Sequence, residues 1–348
     1  MSKPLNTELY IGNDVLHLNQ VYTGFGILHH KGLLKIKIKR STDQDFGTPF
    51  LKCIIEGKKI VFEMHDGIHY LAKEAYSWCD FYFKRSTTTA LITNNPKIIP
   101  WGLNFYITSV HDFSFKRSLL KNDLKTAATT FFRSNFLLSK LFNIKSGAHT
   151  GSIKYFNNKP LLSKHPMIVF SPRLWEPERV EGYKKEDRLR LNNERIECVR
   201  NLKKYFPEYY NGGIENTAYA LKVCPDLILP LHETHKKNYI KNLKQASIGI
   251  ATPGLVESIG WKFSEYMIFS KAIVSNDISN YLLHAPVYHR ANYMAYTSPN
   301  NFLHFTEQLI KDEDLRFTMM QKNYEYTQRY LHPEKQLCTA LSKAGFEF

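Results

Sequence analysis

Gly254-Leu-Val-Glu257-Ser-Ile-Gly260-Trp261-Lys262-Phe-Ser-Glu265-Tyr-Met-Ile-Phe-Ser-Lys-Ala-Ile-Val274 is the stretch whose reading decides the fold. It spells a glycine-containing loop, a helix from about Lys262, and then an apolar strand. A loop that feeds a helix N-terminus at the carboxyl end of parallel strands is an anion site. Its backbone N–H groups and the helix dipole together hold a diphosphate. A carboxylate one turn into that helix, here Glu265, accepts hydrogen bonds from two vicinal hydroxyls such as those of a ribose. The plainer alternative is a helix whose acidic residues complete its dipole.

Working outward, the same α/β rhythm runs upstream and downstream. Met167-Ile-Val-Phe-Ser is a continuous apolar strand of the buried parallel type. Asn192 to Tyr205 reads as an amphipathic helix, with Ile196, Val199, Leu202 and Phe206 at helical spacing. Asp226-Leu-Ile-Leu-Pro, Ile248-Gly-Ile-Ala and Ala272-Ile-Val-Ser read as strands, and Phe302 to Tyr330 reads as one helix. In the first half, Glu8-Leu-Tyr-Ile, Leu33 to Lys39, Ile60-Val-Phe-Glu-Met and Asp80-Phe-Tyr-Phe read as strands, with a helical turn between Gly67 and Trp78. Helix is expected within Leu119 to Phe142, and 145–164 is rich in Gly, Asn, Ser and Lys, as a linker is. Strands alternating with helices predict parallel α/β architecture. The expected division is 1–163, 164–322 and a C-terminal tail, 323–348, with no internal repeat.

Composition bounds the function. The chain has 348 residues, enough for about two domains. With 43% hydrophobic and 14% aromatic residues it is no disordered chain. A net charge of +15 implies that the surface meets anions: nucleic acid, anionic lipid or a phosphorylated small molecule. The five cysteines stand singly with no CxxC pair, so neither a disulfide framework nor a zinc site is encoded and no metal is expected. The start, Met1-Ser-Lys-Pro-Leu-Asn6, has no apolar core of signal type, and no run is long enough for a transmembrane helix. The expectation is a cytoplasmic protein that at most lies on a membrane surface.

The Gly254–Val274 segment resembles the C-terminal domain of GT-B nucleotide-sugar glycosyltransferases, in particular the family 4, or group 1, type. Glu257 and Glu265 stand in an E-x7-E pair around Gly260, and Glu265 to Val274 is similar to the family's Glu-Ala-Met-Ala-x-Gly-x-Pro-Val-Val block. The resemblance implies that Glu265 holds the donor ribose and Glu257 contacts the donor sugar, with Gly254, Gly260, Trp261 and Lys262 lining the donor site. Ser258-Ile-Gly-Trp-Lys departs from the family's Gly-Phe-Gly-Leu wording. Val169-Phe-Ser-Pro-Arg173-Leu-Trp resembles the family's first C-domain strand and its Gly-Arg-Leu loop, where an Arg and a following Lys neutralise the leaving diphosphate. Arg173 matches directly; Glu178 takes the Lys position and Arg179 follows it. A guanidinium fork suits that contact. A surface ion pair is the alternative for Arg173 alone.

Val21-Tyr-Thr-Gly24-Phe-Gly26 resembles the glycine-rich loop after the first N-domain strand of the same family, placing Gly24 and Gly26 at the acceptor side of the cleft. His29 stands where a dinucleotide fingerprint needs its third glycine, so NAD is not expected. His65-Asp66-Gly67 follows a strand and resembles the family's His at a central strand end. In a retaining enzyme that His contacts the donor sugar, and in an inverting one His65 or Asp66 is a general base. Turn chemistry at Asp66-Gly67 with His65 capping it is the bland alternative. Lys84 and Arg85 also end a strand, either facing the cleft to bind an anionic group or standing solvated.

Four rivals are weaker. A GT-A enzyme needs a metal-binding DxD. Asp43-Gln-Asp45 has no strand immediately before it, and Asp312-Glu-Asp314 lies in a helical stretch. A nucleic-acid-binding protein fits the charge, but the basic residues are scattered and no recognition motif is spelled. No G-x-S-x-G elbow and no P-loop occurs. The reading is therefore an α/β GT-B glycosyltransferase with two Rossmann-like domains facing across a cleft, and the resemblance implies that the C-terminal helix and tail, 323–348, pack back on the N-terminal domain. It is expected to need no cofactor beyond its nucleotide-diphosphate sugar donor, to be metal-independent with retention favoured, and to bind no nucleic acid. It is read as a hexosyl- or deoxyhexosyltransferase. The acceptor would be a glycan or lipid-linked glycan in surface polysaccharide or glycoconjugate assembly, with an anionic membrane surface as a further partner.

Overall fold

The computed structural model describes residues 3–11, 16–40, 49–107 and 153–348. Two separate sheets organise them, as expected of a two-unit α/β chain. The first has strand order β2-β1-β3-β4-β5-β6: β1 (Leu5–Ile11), β2 (Leu34–Arg40), β3 (Phe50–Ile55), β4 (Lys58–Glu63), β5 (Phe81–Lys84) and β6 (Ile98–Pro100). The second has order β11-β10-β9-β7-β8: β7 (Ile168–Phe170), β8 (Tyr210–Gly212), β9 (Ile248–Ala251), β10 (Ala272–Asn276) and β11 (Met294–Tyr296).

The C-terminal sheet is parallel throughout. Beyond β8, Ile214 bridges Ile228 in parallel, with the Ile214 N–H donating to Leu227 O (2.8 Å) and the Leu229 N–H to Ile214 O (2.9 Å). Counting that bridge, the spatial order becomes 3-2-1-4-5-6, the order of dinucleotide-binding sheets. The strand order reverses between β7 and β9, and the crevice opens at their carboxyl ends. Continuous apolar runs explain these strands: all four residues of β9 and the first four of β10 are buried, because helices cover both faces.

The N-terminal sheet is parallel except at β3, which runs antiparallel to β1 and β4. Only two residues, Glu56 and Gly57, connect β3 to β4, and so short a link joins antiparallel strands alone. Both have positive φ (46° and 82°), the pattern of a type I′ turn. Glu56 is held there by β1: its carboxylate accepts from the Asn6 N–H (2.5 Å) and Nδ2 (3.0 Å).

Among the described residues the helices are α1 (Asn19–His30), α2 (Lys73–Trp78), α3 (Thr89–Asn94), α4 (Tyr183–Tyr205), α5 (Ala218–Val223), α6 (Lys236–Gln245), α7 (Trp261–Ile268), α8 (Pro299–Lys311), α9 (Glu313–Tyr326) and α10 (Pro333–Lys343). Several differ from expectation. The stretch expected as one helix from Phe302 breaks at Asp312, whose side chain accepts the Leu315 N–H (2.9 Å) and caps α9. The Asp312-Glu-Asp314 triplet is thus a helix start. The strand expected at Asp226–Pro230 is reduced to a 3-10 turn and the single bridge at Ile228. The helix expected within Leu119–Phe142, the first part of the linker (145–152), and Asp43-Gln-Asp45 lie outside the described residues. Among the described residues no helix is long and apolar enough to cross a membrane.

Gly24 and Gly26 do not form a cleft loop; they lie buried in α1. A Cβ on Gly24 would stand 2.7 Å from Pro333 O and 3.1 Å from the Leu337 Cβ, so glycine lets α10 close onto α1. Leu337, Ala340 and Leu341 of α10 share one apolar cluster with Val21, Phe25 and Leu28 of α1 and with the N-terminal sheet. In the other direction, Leu103, Phe105 and Ile107, just past β6, pack with Val169, Phe263 and Tyr266 of the C-terminal unit. The two units exchange segments at their junction.

Candidate active site

The site is built from the switch point outward. Two loops leave the carboxyl ends of β7 and β9, and Arg195 of α4 ties them together. Its guanidinium donates to Arg173 O (2.6 Å), Thr252 Oγ1 (3.1 Å) and Pro253 O (3.1 Å). Burial lowers its pKa to about 10, so it stays charged at neutral pH. Sequence reading missed Arg195, because nothing in a run of helical charges distinguishes a clamp from a solvated residue.

The β9–α7 loop is compact. The Gly254 N–H donates to Ser258 O (2.7 Å), and the Ser258 N–H donates to Leu255 O (3.2 Å). A Cβ on Gly254 would stand 2.3 Å from Ser258 Oγ, and one on Gly260 2.5 Å from Thr252 O, so both positions require glycine. Between them Val256 and Glu257 are successive left-handed residues (φ 55° and 57°), a costly conformation for a β-branched side chain. Asp187 of α4 accepts the Val256 N–H (2.7 Å), and the Tyr281 hydroxyl donates to Glu257 O. The loop therefore delivers the N-terminus of α7, with Gly260 as its cap residue and no capping side chain, to the switch point.

Glu265 sits at the second turn of α7, half-buried. Its carboxylate accepts from the Tyr239 hydroxyl of α6 (2.5 Å), and Lys262 Nζ donates to the same hydroxyl (3.1 Å) and lies over the Tyr239 ring. Glu257, more exposed, has a carboxylate oxygen 3.7 Å from His69 Nε2. Arg173 is exposed, its guanidinium carbon 5.1 Å from the Trp175 ring centre, with Arg188 beyond at 6.0 Å. Arg179 is exposed and paired with Glu176 (2.5 Å).

Across from this loop stand the carboxyl ends of β4 and β5. Lys84 does not face the cleft: it is fully buried, donating to the Glu63 carboxylate (2.6 Å) and to Gly67 O (3.1 Å), while the Tyr82 hydroxyl donates to the other Glu63 oxygen (2.6 Å). Burial pushes the Glu63 carboxyl up and the Lys84 ammonium down, against their mutual attraction. This network braces the His65-Asp66-Gly67 turn. Its Gly67 N–H donates to His65 Nδ1 (3.0 Å), and the His65 ring stacks on Tyr70 (centroids 4.4 Å apart). Burial and then the Lys84 charge lower the His65 pKa. The neutral ring carries its proton on Nε2, since Nδ1 accepts.

Arg85, one residue beyond Lys84, does reach the cleft. It pairs with Asp66, donates through Nη2 to Ile259 O (3.0 Å), and lies 5.9 Å from the Trp261 ring centre. Burial alone would raise the Asp66 carboxyl, but Arg85 and His17 outweigh it and hold the pKa at about 2. His17 Nε2 is 3.7 Å from Asp66, and its ring meets Trp261 edge-on (centroids 4.8 Å apart). Arg85, Ser86, Asn104, Ile259, Ser264 and Tyr281 border a small polar cavity between the units.

The structure thus brings together Asp66, Arg85, Gly260 and Trp261, with His65 on the same turn, Glu257 in the loop and Lys262 and Glu265 on helix α7. It leaves Gly24, Gly26 and Lys84 outside the cleft. It adds His17, Asp187, Arg195 and Tyr281, whose sequence positions carry no signal of these meetings.

No protein-family model and no curated protein matches the chain. Among solved structures it is similar to the C-terminal domain of a glycosyl transferase group 1 family protein (LpcC) from Francisella tularensis, at 16% identity over 51% of this chain and 97% of that one, TM-score 0.34. It is also similar to Anabaena HepE in complex with UDP, at 12% identity over 97% and 98% of the two chains, TM-score 0.37. A third is S. aureus MnaA with UDP, at 12% identity over 92% and 94%, TM-score 0.33. Likenesses this distant carry no argument about chemistry, which rests on the geometry of the site.

Proposed function

We propose that the chain is a glycosyltransferase that takes a nucleotide-diphosphate sugar as donor. One observation carries this reading: the β7–β9 switch point of a parallel sheet, fed by a glycine-fixed loop into the bare N-terminus of α7, opposite a charged face on a second α/β unit. Loop amides, the α7 dipole and Arg173 would hold the diphosphate and stabilise its charge as the bond to the sugar breaks. Glu265 would hold the ribose, with Tyr239 and Lys262 fixing its orientation. Glu257 and the Nε2–H of His65 would meet the sugar, and the acceptor, a glycan or lipid-linked glycan, would enter beside the N-terminal unit. Its anionic membrane partner is tested by sedimentation with neutral and anionic vesicles; equal partitioning removes it.

The tautomer of His65 favours a hydrogen-bonding role over that of a base, and an Asp66 carboxyl near pKa 2 is a weak base. Both facts support the retaining reading over the inverting one. The test is a thermal-shift series with nucleotides and nucleotide sugars, followed by product analysis with the stabilising donor. A Glu265→Ala protein that folds and binds the donor as tightly as wild type would overturn the assignment of the ribose site. Absence of stabilisation by any nucleotide, with steep salt-dependent binding to arbitrary DNA, would favour a nucleic-acid-binding protein instead.

A further inference from the structure

We propose that Arg85 is a positioning residue that clasps the 254–260 loop of the C-terminal unit to the N-terminal unit, fixing the Ile259 carbonyl and the first turn of α7; the consequence for the donor rests on the reading above. Four observations carry it. Arg85 is buried (5% exposed), and its two Nη groups point to different units, Nη1 to Asp66 and Nη2 to Ile259 O. Its charge is met by Asp66, so it is not a free hook for an anion. The loop contains two left-handed non-glycine residues, and such a conformation persists only where surrounding contacts hold it. The loop's backbone restraints besides Arg85, from Asp187, Tyr281 and its own amides, come from within the C-terminal unit. Across the cleft, Arg85, itself buried, supplies a hydrogen bond to the loop's backbone, beside the His17–Trp261 ring contact and an exposed approach of His69 to Glu257 (3.7 Å).

A lysine cannot replace this fork, because one ammonium does not span Asp66 and Ile259 O together. The units stay joined without Arg85 through the reciprocal Thr87–Leu282 bonds (2.7 and 2.9 Å) and through His284, whose ring nitrogens lie 2.8 and 3.0 Å from Trp101 O and Tyr330 O.

The test is amide hydrogen exchange by mass spectrometry on the full chain, free of ligand, comparing wild type with Arg85→Met and Arg85→Lys. Both variants are expected to exchange about tenfold faster over 254–260, the size of one charge-assisted hydrogen bond, with β9 and β10 unchanged. Wild-type exchange over that loop in either folded variant overturns the proposal. Should Arg85→Met not fold, Arg85→Lys decides alone. If neither unfolds cooperatively, Arg85 is a folding determinant and the proposal falls. With the donor found by thermal shift, the donor KM of Arg85→Lys is expected to rise about tenfold with the unfolding midpoint retained. An unchanged donor KM counts against the clasp. If wild type binds no nucleotide at all, the functional reading fails, and the ligand-free exchange still decides the clasp.

Discussion

Lys84 and Arg85 are neighbours in sequence, and so nearly are Glu63 and Asp66, yet they build two different charge clusters. Glu63 and Lys84 point into their own unit, where both are sealed from water with Tyr82 and Gly67. Asp66 and Arg85 point out of it, toward a loop of the other unit. Extended backbone sends successive side chains to opposite sides, so one step past the end of β5 separates a cation that braces a turn from one that faces the cleft. The difference teaches that a basic pair at a strand end is not one feature: both cations are buried, and the unit that supplies each one's partners assigns the two roles.

That contrast can be broken experimentally. The largest effect is expected from Lys84→Met, which strands Glu63 without its counter-charge; urea unfolding should show a loss of about 3–5 kcal/mol. Adding Glu63→Leu should recover most of it, and failure to recover would mean that the pair is not a self-contained unit. Tyr82→Phe removes one donor to the same carboxylate and should cost about 1–3 kcal/mol in the same assay. At the outward cluster the expected signature is in pH. The Asp66 carboxyl sits at about 2, against about 3.9 in an unfolded chain. Its contribution is therefore complete above pH ~4 and lost as pH falls from there toward 2, a change of about 1–2 kcal/mol. Asp66→Asn should flatten that part of the stability–pH curve, and an unaltered curve would detach Asp66 from Arg85. Smallest of all, Arg179→Ala, which removes an exposed pair, should leave the urea midpoint where it was.

Much of the fold was legible because its central elements are local. β9, α7 and β10 follow from uninterrupted apolar runs and one glycine-rich loop, and their boundaries fall close to those read from sequence. The β3–β4 hairpin was not legible, since Glu56-Gly57 lacks the Asn-Gly or Asp-Gly spelling and relies on Asn6 for its geometry. Gly24 and Gly26 misled for the opposite reason: their spacing fits a loop, but the cause is a helix arriving from more than three hundred residues away. In the candidate site, strand-end placement singled out Asp66 and Arg85. It gave no hint of His17, Asp187 or Tyr281, whose partners are distant in the chain.

By itself the sequence determined an α/β chain of two units, the anion-ready loop before α7, and the excess of positive charge seeking a partner, because periodicity, glycine placement and charge are local properties. Tertiary structure alone decided which of two buried cations braces its own unit and which meets the cleft, and that Arg85 spans two units. Those outcomes depend on which surfaces exclude water from one another, and that is settled only when segments far apart in the chain come together.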